Sequence, residues 1–206
     1  MSYYPIFVEM TNRPCVVIGG GVVAERKVEA LLNAGATVTV ISPSLGGLLH
    51  SQVEAGKIRY VGREYRSGDL IEYEMVFVAT DDKKVNSVVA QEARERGVWI
   101  NAADDPSHCD FILPSVLQRG DLVVAVATGG SSPALSRAIR EELESYFTRD
   151  YAELTEVAAE VRRELGQRSV SPGAKAWRQA LGNGFRRLIA EGKREQAKAH
   201  LMDTLG

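Results

Sequence analysis

The run Asn101-Ala102-Ala103-Asp104-Asp105-Pro106 sets two carboxylates directly after the apolar stretch Val98-Trp99-Ile100. A carboxylate in that place, tuned by burial or by its neighbours, is suited to take a proton as a general base. The same pair also suits a plain turn, since Asp before Pro starts turns readily. A second group of residues carries different chemistry. In Cys15-Val16-Val17-Ile18-Gly19-Gly20-Gly21-Val22-Val23-Ala24-Glu25-Arg26-Lys27, the pattern G-x-G-x-x-A falls on Gly19, Gly21 and Ala24, between a β-branched run and a helical pattern. That is the layout of a loop receiving the pyrophosphate of a dinucleotide. Gly19 permits the tight turn, Gly21 leaves room for phosphate against the backbone, and Ala24 keeps helix close to strand. The N–H groups of the helix's first turn then face the phosphate charge. A third group, Thr128-Gly129-Gly130-Ser131-Ser132-Pro133, leads into another helix start that suits a carboxylate or phosphate, or simply a capped helix. His108 and Cys109 are adjacent, but two ligands without a third at recognisable spacing make no metal site, and none is expected. His50 and His200 read as surface residues.

These residues need elements to position them, and the hydrophobic pattern supplies them. Strands are expected at 15–18, 37–41, 58–61, 75–79 and 98–102, with helices between them at 22–33, 48–54 and 84–96. The fourth strand, Met75-Val76-Phe77-Val78-Ala79, is apolar throughout, as befits a central parallel strand. This alternation predicts an α/β, Rossmann-like, doubly wound parallel sheet. Ligands of such sheets bind outside the carboxyl ends of the strands. Those ends are Gly19-Gly20-Gly21, Ser42-Pro43-Ser44, Thr80-Asp81-Asp82 and Ala103-Asp104-Asp105. An acid about 20 residues past the glycines usually holds the ribose hydroxyls of NAD. That position falls on Ile41-Ser42-Pro43, with neither an acid nor an arginine for a 2′-phosphate. Ser42 and Ser44, or backbone groups near them, are left to hold the ribose.

After Pro114 the pattern changes. Residues 115–119 and 122–127 around Gly120-Asp121 form a hairpin, followed by a helix over 133–147 with an apolar stripe of Leu135, Ala138, Ile139, Leu143 and Tyr146. Ser132 is placed as its N-cap and Pro133 as its first residue. From Asp150 onward only helices are expected: 151–165, then 175–190 after the Ser171-Pro172-Gly173 break, then 193–205. Three regions result: a nucleotide domain over 1–113, a hairpin-plus-helix module over 114–149 and an all-helical region over 150–206. The middle module is too small to stand alone, and its stripe is buried either by a second copy or by its own chain. Arg137, Arg140, Arg162, Arg163, Arg168, Lys175 and Arg178 gather positive charge in the later part of a chain whose net charge is −2, which suits a small polyanion as readily as a solvated face.

The bulk properties exclude several classes. With 206 residues, 45% hydrophobic and 25% charged, the chain affords a core without disulfides or structural metal. Two unpatterned cysteines, Cys15 and Cys109, fit a reducing compartment, and the N-terminus lacks a basic segment of the signal-peptide kind, so a cytoplasmic location is expected. The overall charge does not point to nucleic acid. No apolar run approaches the ~18 residues that cross a bilayer.

Taken together, the motifs resemble the N-terminal module of siroheme synthase, the precorrin-2 dehydrogenase/sirohydrochlorin ferrochelatase family. The resemblance is carried by Pro5-Ile6-Phe7, the run from Gly19 to Lys27, Ala79-Thr80-Asp81-Asp82 with Val85-Asn86, Asn101-x-x-Asp104-x-Pro106, Phe111-Ile112-x-Pro114-Ser115 and Gly129-Gly130-x-Ser132-Pro133, in family order. It implies NAD-dependent oxidation of precorrin-2 to sirohydrochlorin, with iron insertion into sirohydrochlorin as a second activity of some members. It implies Asp104 as the catalytic residue, and NAD held by Gly19, Gly20, Gly21, Val22, Val23, Pro43, Ser44, Thr80 and Asn101. It implies tetrapyrrole carboxylates held by Thr128, Gly129, Gly130, Ser131 and Arg137. It further implies a homodimer formed by the middle module, with the helical region covering the tetrapyrrole. Fused members continue into a methyltransferase domain, and a sequence ending at Gly206 places methylation on another protein. Some members carry serine at the position of Thr128. A rival reading, a nucleotide-sensing regulatory domain without chemistry, accounts for the first 105 residues and leaves the glycine pair at 129–130 and the basic helical region unexplained.

Overall fold

The structure is a computed structural model that describes residues 3–103 and 105–206. The chain divides into two compact units, Met1–Leu113 and Pro114–Gly206. The first unit holds five parallel strands: β1 (Pro14–Ile18), β2 (Thr37–Ile41), β3 (Arg59–Val61), β4 (Met75–Val78) and β5 (Trp99–Ala102). Their order is β3-β2-β1-β4-β5, so the winding reverses at β1, which pairs with β2 on one side and β4 on the other. Helices α1 (Val22–Asn33), α2 (Gly47–Glu54) and α3 (Lys83–Arg96) connect the strands.

Period-2 alternation explains how strands that are apolar at nearly every position form two cores. Cys15, Val17, Val38, Val40, Met75 and Phe77 point to one face, where Ala24, Val28 and Leu31 of α1 and Leu49 of α2 cover them. Val16, Ile18, Val76, Val78, Ile100 and Ala102 point to the other, under Val89, Ala90 and Ala93 of α3. Burial drives the Cys15 thiol pKa up to about 11, so it behaves as a small apolar side chain.

One buried carboxylate ties the β3–β4 connection to this frame. Glu92 of α3, only 4% exposed, accepts bonds from the Tyr65 hydroxyl, the N–H groups of Gly68 (2.8 Å) and Leu70 (3.3 Å) and Nε of Arg96 (2.6 Å). Burial works to raise its pKa, and these bonds outweigh burial and hold it below the usual range. A depressed folded-state pKa makes its stabilisation complete above the unfolded value of about 4.3 and lost as pH falls through the folded one. Glu92→Ala leaves several donors unmet, so urea unfolding at neutral pH should show a loss of about 3 kcal/mol, and the deficit should shrink on acidification.

The second unit starts with the antiparallel pair β6 (Ser115–Arg119) and β7 (Leu122–Val126), in which Leu117 sits opposite Val124. Helix α4 (Pro133–Tyr146) follows, and the Ser132 hydroxyl accepts the Leu135 N–H at its start. Helices α5 (Tyr151–Gln167), α6 (Ala174–Ala180), α7 (Asn183–Ala190) and α8 (Arg194–Leu205) bury Val157, Val161, Leu165, Phe185, Ile189, Ala197 and Leu201 in a third core. Along one side, Arg194 meets Glu153, Glu156 and Glu160, and Lys198 meets Glu160 and Glu164, joining α8 to α5. The single helix expected over 175–190 is two helices. Gly182 breaks it, adopting an extended backbone at the start of α7, since glycine in a helix interior is costly. The break turns Phe185 and Ile189 into the core. Among the described residues no helix is long and apolar enough to cross a membrane.

The stripe on α4 is only partly covered, with Ile139 and Leu143 half-buried and Leu135, Ala138 and Tyr146 exposed. The only buried residue of that helix is Ser136, while Leu135 is 52% and Tyr146 61% exposed, and Val116 of β6 is 48% exposed.

Candidate functional site

All five strands of the first unit are parallel, so their carboxyl ends share one edge. At the reversal point that edge carries the loop Gly19-Gly20-Gly21. The Gly19 N–H donates to the Ile41 carbonyl (3.0 Å), and the Ala79 N–H donates to the Ile18 carbonyl (2.8 Å), so β1, β2 and β4 end together. Gly19 has φ +121°, and a Cβ there would run into the carbonyl oxygen of Ala79. Gly21 is different: it sits in extended backbone just ahead of α1, and a Cβ on it would meet nothing within 4 Å. The start of α1 has no side-chain cap. Open space above Gly21 and uncapped N–H groups at Val22 and Val23 form a seat for a phosphate. These residues therefore fit the pyrophosphate of a dinucleotide.

Pro43 and Ser44 lie exposed at the end of β2. The Ser42 hydroxyl, by contrast, is buried and donates to the Ser44 carbonyl (2.7 Å), so it braces its own loop instead of facing a ribose. Thr80 follows β4, where its Oγ1 accepts the Asp82 N–H (3.2 Å) and its carbonyl accepts Asn86 Nδ2 (3.1 Å).

Asp104 lies outside the described residues. On either side of it, the Ala103 N–H donates to the Val78 carbonyl (3.0 Å), and Asp105 caps the short turn Pro106–His108. The Asp105 carboxylate accepts the N–H and hydroxyl of Ser107 and Nδ1 of His108 (2.8 Å). The bonds from Ser107 and the His108 ring hold its pKa below the usual carboxylate range. Asp105 thus shapes the loop through Ser107 and His108 while its side chain stays 41% exposed. Cys109 turns inward, with Sγ 3.2 Å from both the N–H and the carbonyl of Ala102, and burial pushes its thiol pKa up. Among the described residues no group of three His, Cys, Asp or Glu side chains is placed to hold a metal.

Asn101 is buried at the end of β5. Its Nδ2 donates to the Phe111 carbonyl (3.0 Å), and its Oδ1 accepts Nζ of Lys27 (3.0 Å), which also stands 5.9 Å from the Phe77 ring centre. Lys27 was not singled out by spacing. The signal was present, since it lies three residues after Ala24 and four before Leu31 on the sheet-facing side of α1. A cation in that position fixes the Asn101 side chain and brings positive charge to the loop that contains Asp104.

In the second unit the Thr128 hydroxyl accepts the Ser132 N–H (3.0 Å), donates to the Ser132 carbonyl and lies 3.2 Å from the Ser136 hydroxyl. It closes the loop that holds Gly129 and Gly130, both at positive φ, with Ser131 exposed beside them. Arg137 is exposed in α4, whereas Arg140 is engaged by Glu141 and Glu144. Arg162 lines a groove of about 760 Å³ with Leu165, Val170 and Trp177. Arg163, Arg168, Lys175 and Arg178 are exposed.

A family model described as "Putative NAD(P)-binding" matches residues 6–115, and one described as "Sirohaem biosynthesis protein central" matches residues 119–146. Siroheme synthase 1 of Serratia proteamaculans is 37% identical over 207 residues, covering 100% of this chain and 44% of that protein. Siroheme synthase of Photobacterium profundum is 38% identical over 205 residues, covering 98% of this chain and 44% of that protein. The chain thus spans less than half the length of the curated relatives it matches. The solved structure of SirC, a precorrin-2 dehydrogenase, superposes with a TM-score of 0.79 at 23% identity, covering 98% of this chain and 100% of that chain, which shows that the two share a fold.

Proposed function

The chain belongs to the NAD(P)-binding family of siroheme synthase N-terminal modules, and from that premise we propose that it oxidises precorrin-2 to sirohydrochlorin with NAD as cofactor. The observation that carries this reading is the shared carboxyl edge of the sheet. There the open seat at Gly21, the Thr80 turn and the Asn101 loop with its attached Lys27 come from adjacent strand ends.

Bound NAD supplies the hydride acceptor. The N–H groups of Val22 and Val23 would hold its pyrophosphate above Gly21, and the backbone at Pro43 and Ser44 would border the adenosine end. Thr80 and Asn101 shape the edge on the opposite side of β1. The oxidation removes a hydride and a proton from the macrocycle. Asp104, the aspartate of the Asn101-x-x-Asp104-x-Pro106 motif through which the chain resembles the family, is the residue assigned to take the proton. The Gly129-Gly130 loop, Ser131 and Arg137 offer N–H groups and positive charge suited to the carboxylates of the tetrapyrrole, with Thr128 holding that loop closed.

Anaerobic incubation with precorrin-2 and NAD should give sirohydrochlorin and NADH in equal amounts. A nucleotide-sensing domain without chemistry would bind NAD and leave precorrin-2 unchanged.

The exposed part of the α4 stripe, Leu135 and Tyr146, together with Val116 of β6 supports a homodimer formed through α4 and the β6–β7 pair. Leu135→Glu places a charge on that stripe. Light scattering after gel filtration should report the dimer mass for the parent and half of it for the variant.

A further inference from the structure

The end of β2 lacks the acid that usually marks an NAD site, and the structure brings one there from another element. Glu25, in the first turn of α1, reaches across to α2, where its Oε1 accepts the N–H of Leu48 at 3.3 Å. The loop from β2 to α2 closes on the glycine loop: the Gly46 N–H donates to the Gly20 carbonyl at 2.8 Å. A Cβ on Gly20 would run into the Ser44 carbonyl oxygen, and one on Gly46 would run into the Glu25 carboxylate. The carboxylate is therefore lodged between the phosphate-binding loop and the start of α2. The residue ahead of α2 is Gly46, which has no side chain of its own to cap the helix.

A helix N-terminus beside the ribose is the natural seat for a 2′-phosphate. Here that seat already holds a negative charge, and no arginine occupies residues 41–48 to offset it. A 2′-phosphate would meet a like charge and a donor already taken, whereas a 2′-hydroxyl meets neither penalty. We propose that Glu25 selects NAD over NADP by occupying the α2 N-terminus at the carboxyl end of β2. This assignment rests on the cofactor reading above.

Calorimetric titration of the whole chain with NAD and NADP tests it without any turnover. The parent should bind NAD at least about tenfold more tightly than NADP. Glu25→Gln keeps the shape and removes the charge, and Glu25→Ala vacates the seat. Both should raise NADP affinity about tenfold relative to NAD. Adenosine 2′,5′-bisphosphate and 5′-AMP read the same difference at the ribose end alone, and a thermal melt checks that each variant is folded. An unchanged NAD-to-NADP ratio in both folded variants, with NAD still bound, overturns the role of Glu25 and leaves the cofactor reading standing. A parent that binds NADP as well as NAD has the same consequence. A parent that binds neither nucleotide overturns the cofactor reading and the Glu25 assignment together.

Discussion

Asp104→Asn should slow the NAD-dependent oxidation of precorrin-2 by about 10²–10⁴-fold, the range usual for loss of a general base. The amide matches the carboxylate in size and hydrogen-bonding reach but cannot take a proton at neutral pH. Its chain neighbours are anchored independently, Ala103 by the Val78 carbonyl and Asp105 by Ser107 and His108. NAD affinity, measured by quenching of intrinsic fluorescence, should stay close to that of the parent. Asp105→Asn is the informative contrast. It weakens the cap on Pro106–His108, and its expected effect is a smaller loss of rate together with lower thermal stability. Equal rates for the Asp104 variant and the parent would remove Asp104 from the chemistry.

Gly21→Val and Gly19→Ala should fail in opposite ways. Gly21 has extended backbone and open space where a side chain would go, so valine is accommodated and the fold is kept. The valine then fills the phosphate seat and screens the Val22 and Val23 N–H groups. Losing one or two charge-assisted bonds should raise the Kd for NAD by at least about tenfold. Gly19→Ala meets a backbone at φ +121° and the Ala79 carbonyl, so it should cost about 2–5 kcal/mol of stability by urea unfolding. Two glycines of one motif, two positions apart, thus separate into one that makes room for ligand and one that makes room for β4.

Much of this architecture could be read in the sequence. The five strands, the helices between them, the Ser132 cap and the parallel sheet follow from periodicity and turn residues, because each element is long enough or apolar enough to declare its type. The division of α6 from α7 was hidden because Trp177, Leu181, Phe185 and Ile189 keep one helical spacing across Gly182. The glycine loop and the Asn101 loop were legible because tight turns demand particular residue types. Glu25 was not, and the spacing of Lys27 placed it on the sheet-facing side of α1 without naming its partner, since a charged residue on a helix does not declare which loop it will reach. Their partners, Leu48 and Asn101, lie 23 and 74 residues further along the chain. Of the groups that could hold a ribose at the end of β2, Ser42 is buried with its hydroxyl donating to the Ser44 carbonyl, which leaves Ser44 and the backbone near it exposed there.

The proposed oxidation requires coenzyme to lie along the carboxyl edge with its redox ring at the loop after β5. A crystal structure of the protein with NAD bound measures this directly. The expected result is the pyrophosphate above Gly21, bonded to the N–H groups of Val22 and Val23, and the nicotinamide beside the Asn101–Asp105 loop. A nicotinamide directed toward β3, or a pyrophosphate seated away from Gly21, would contradict it.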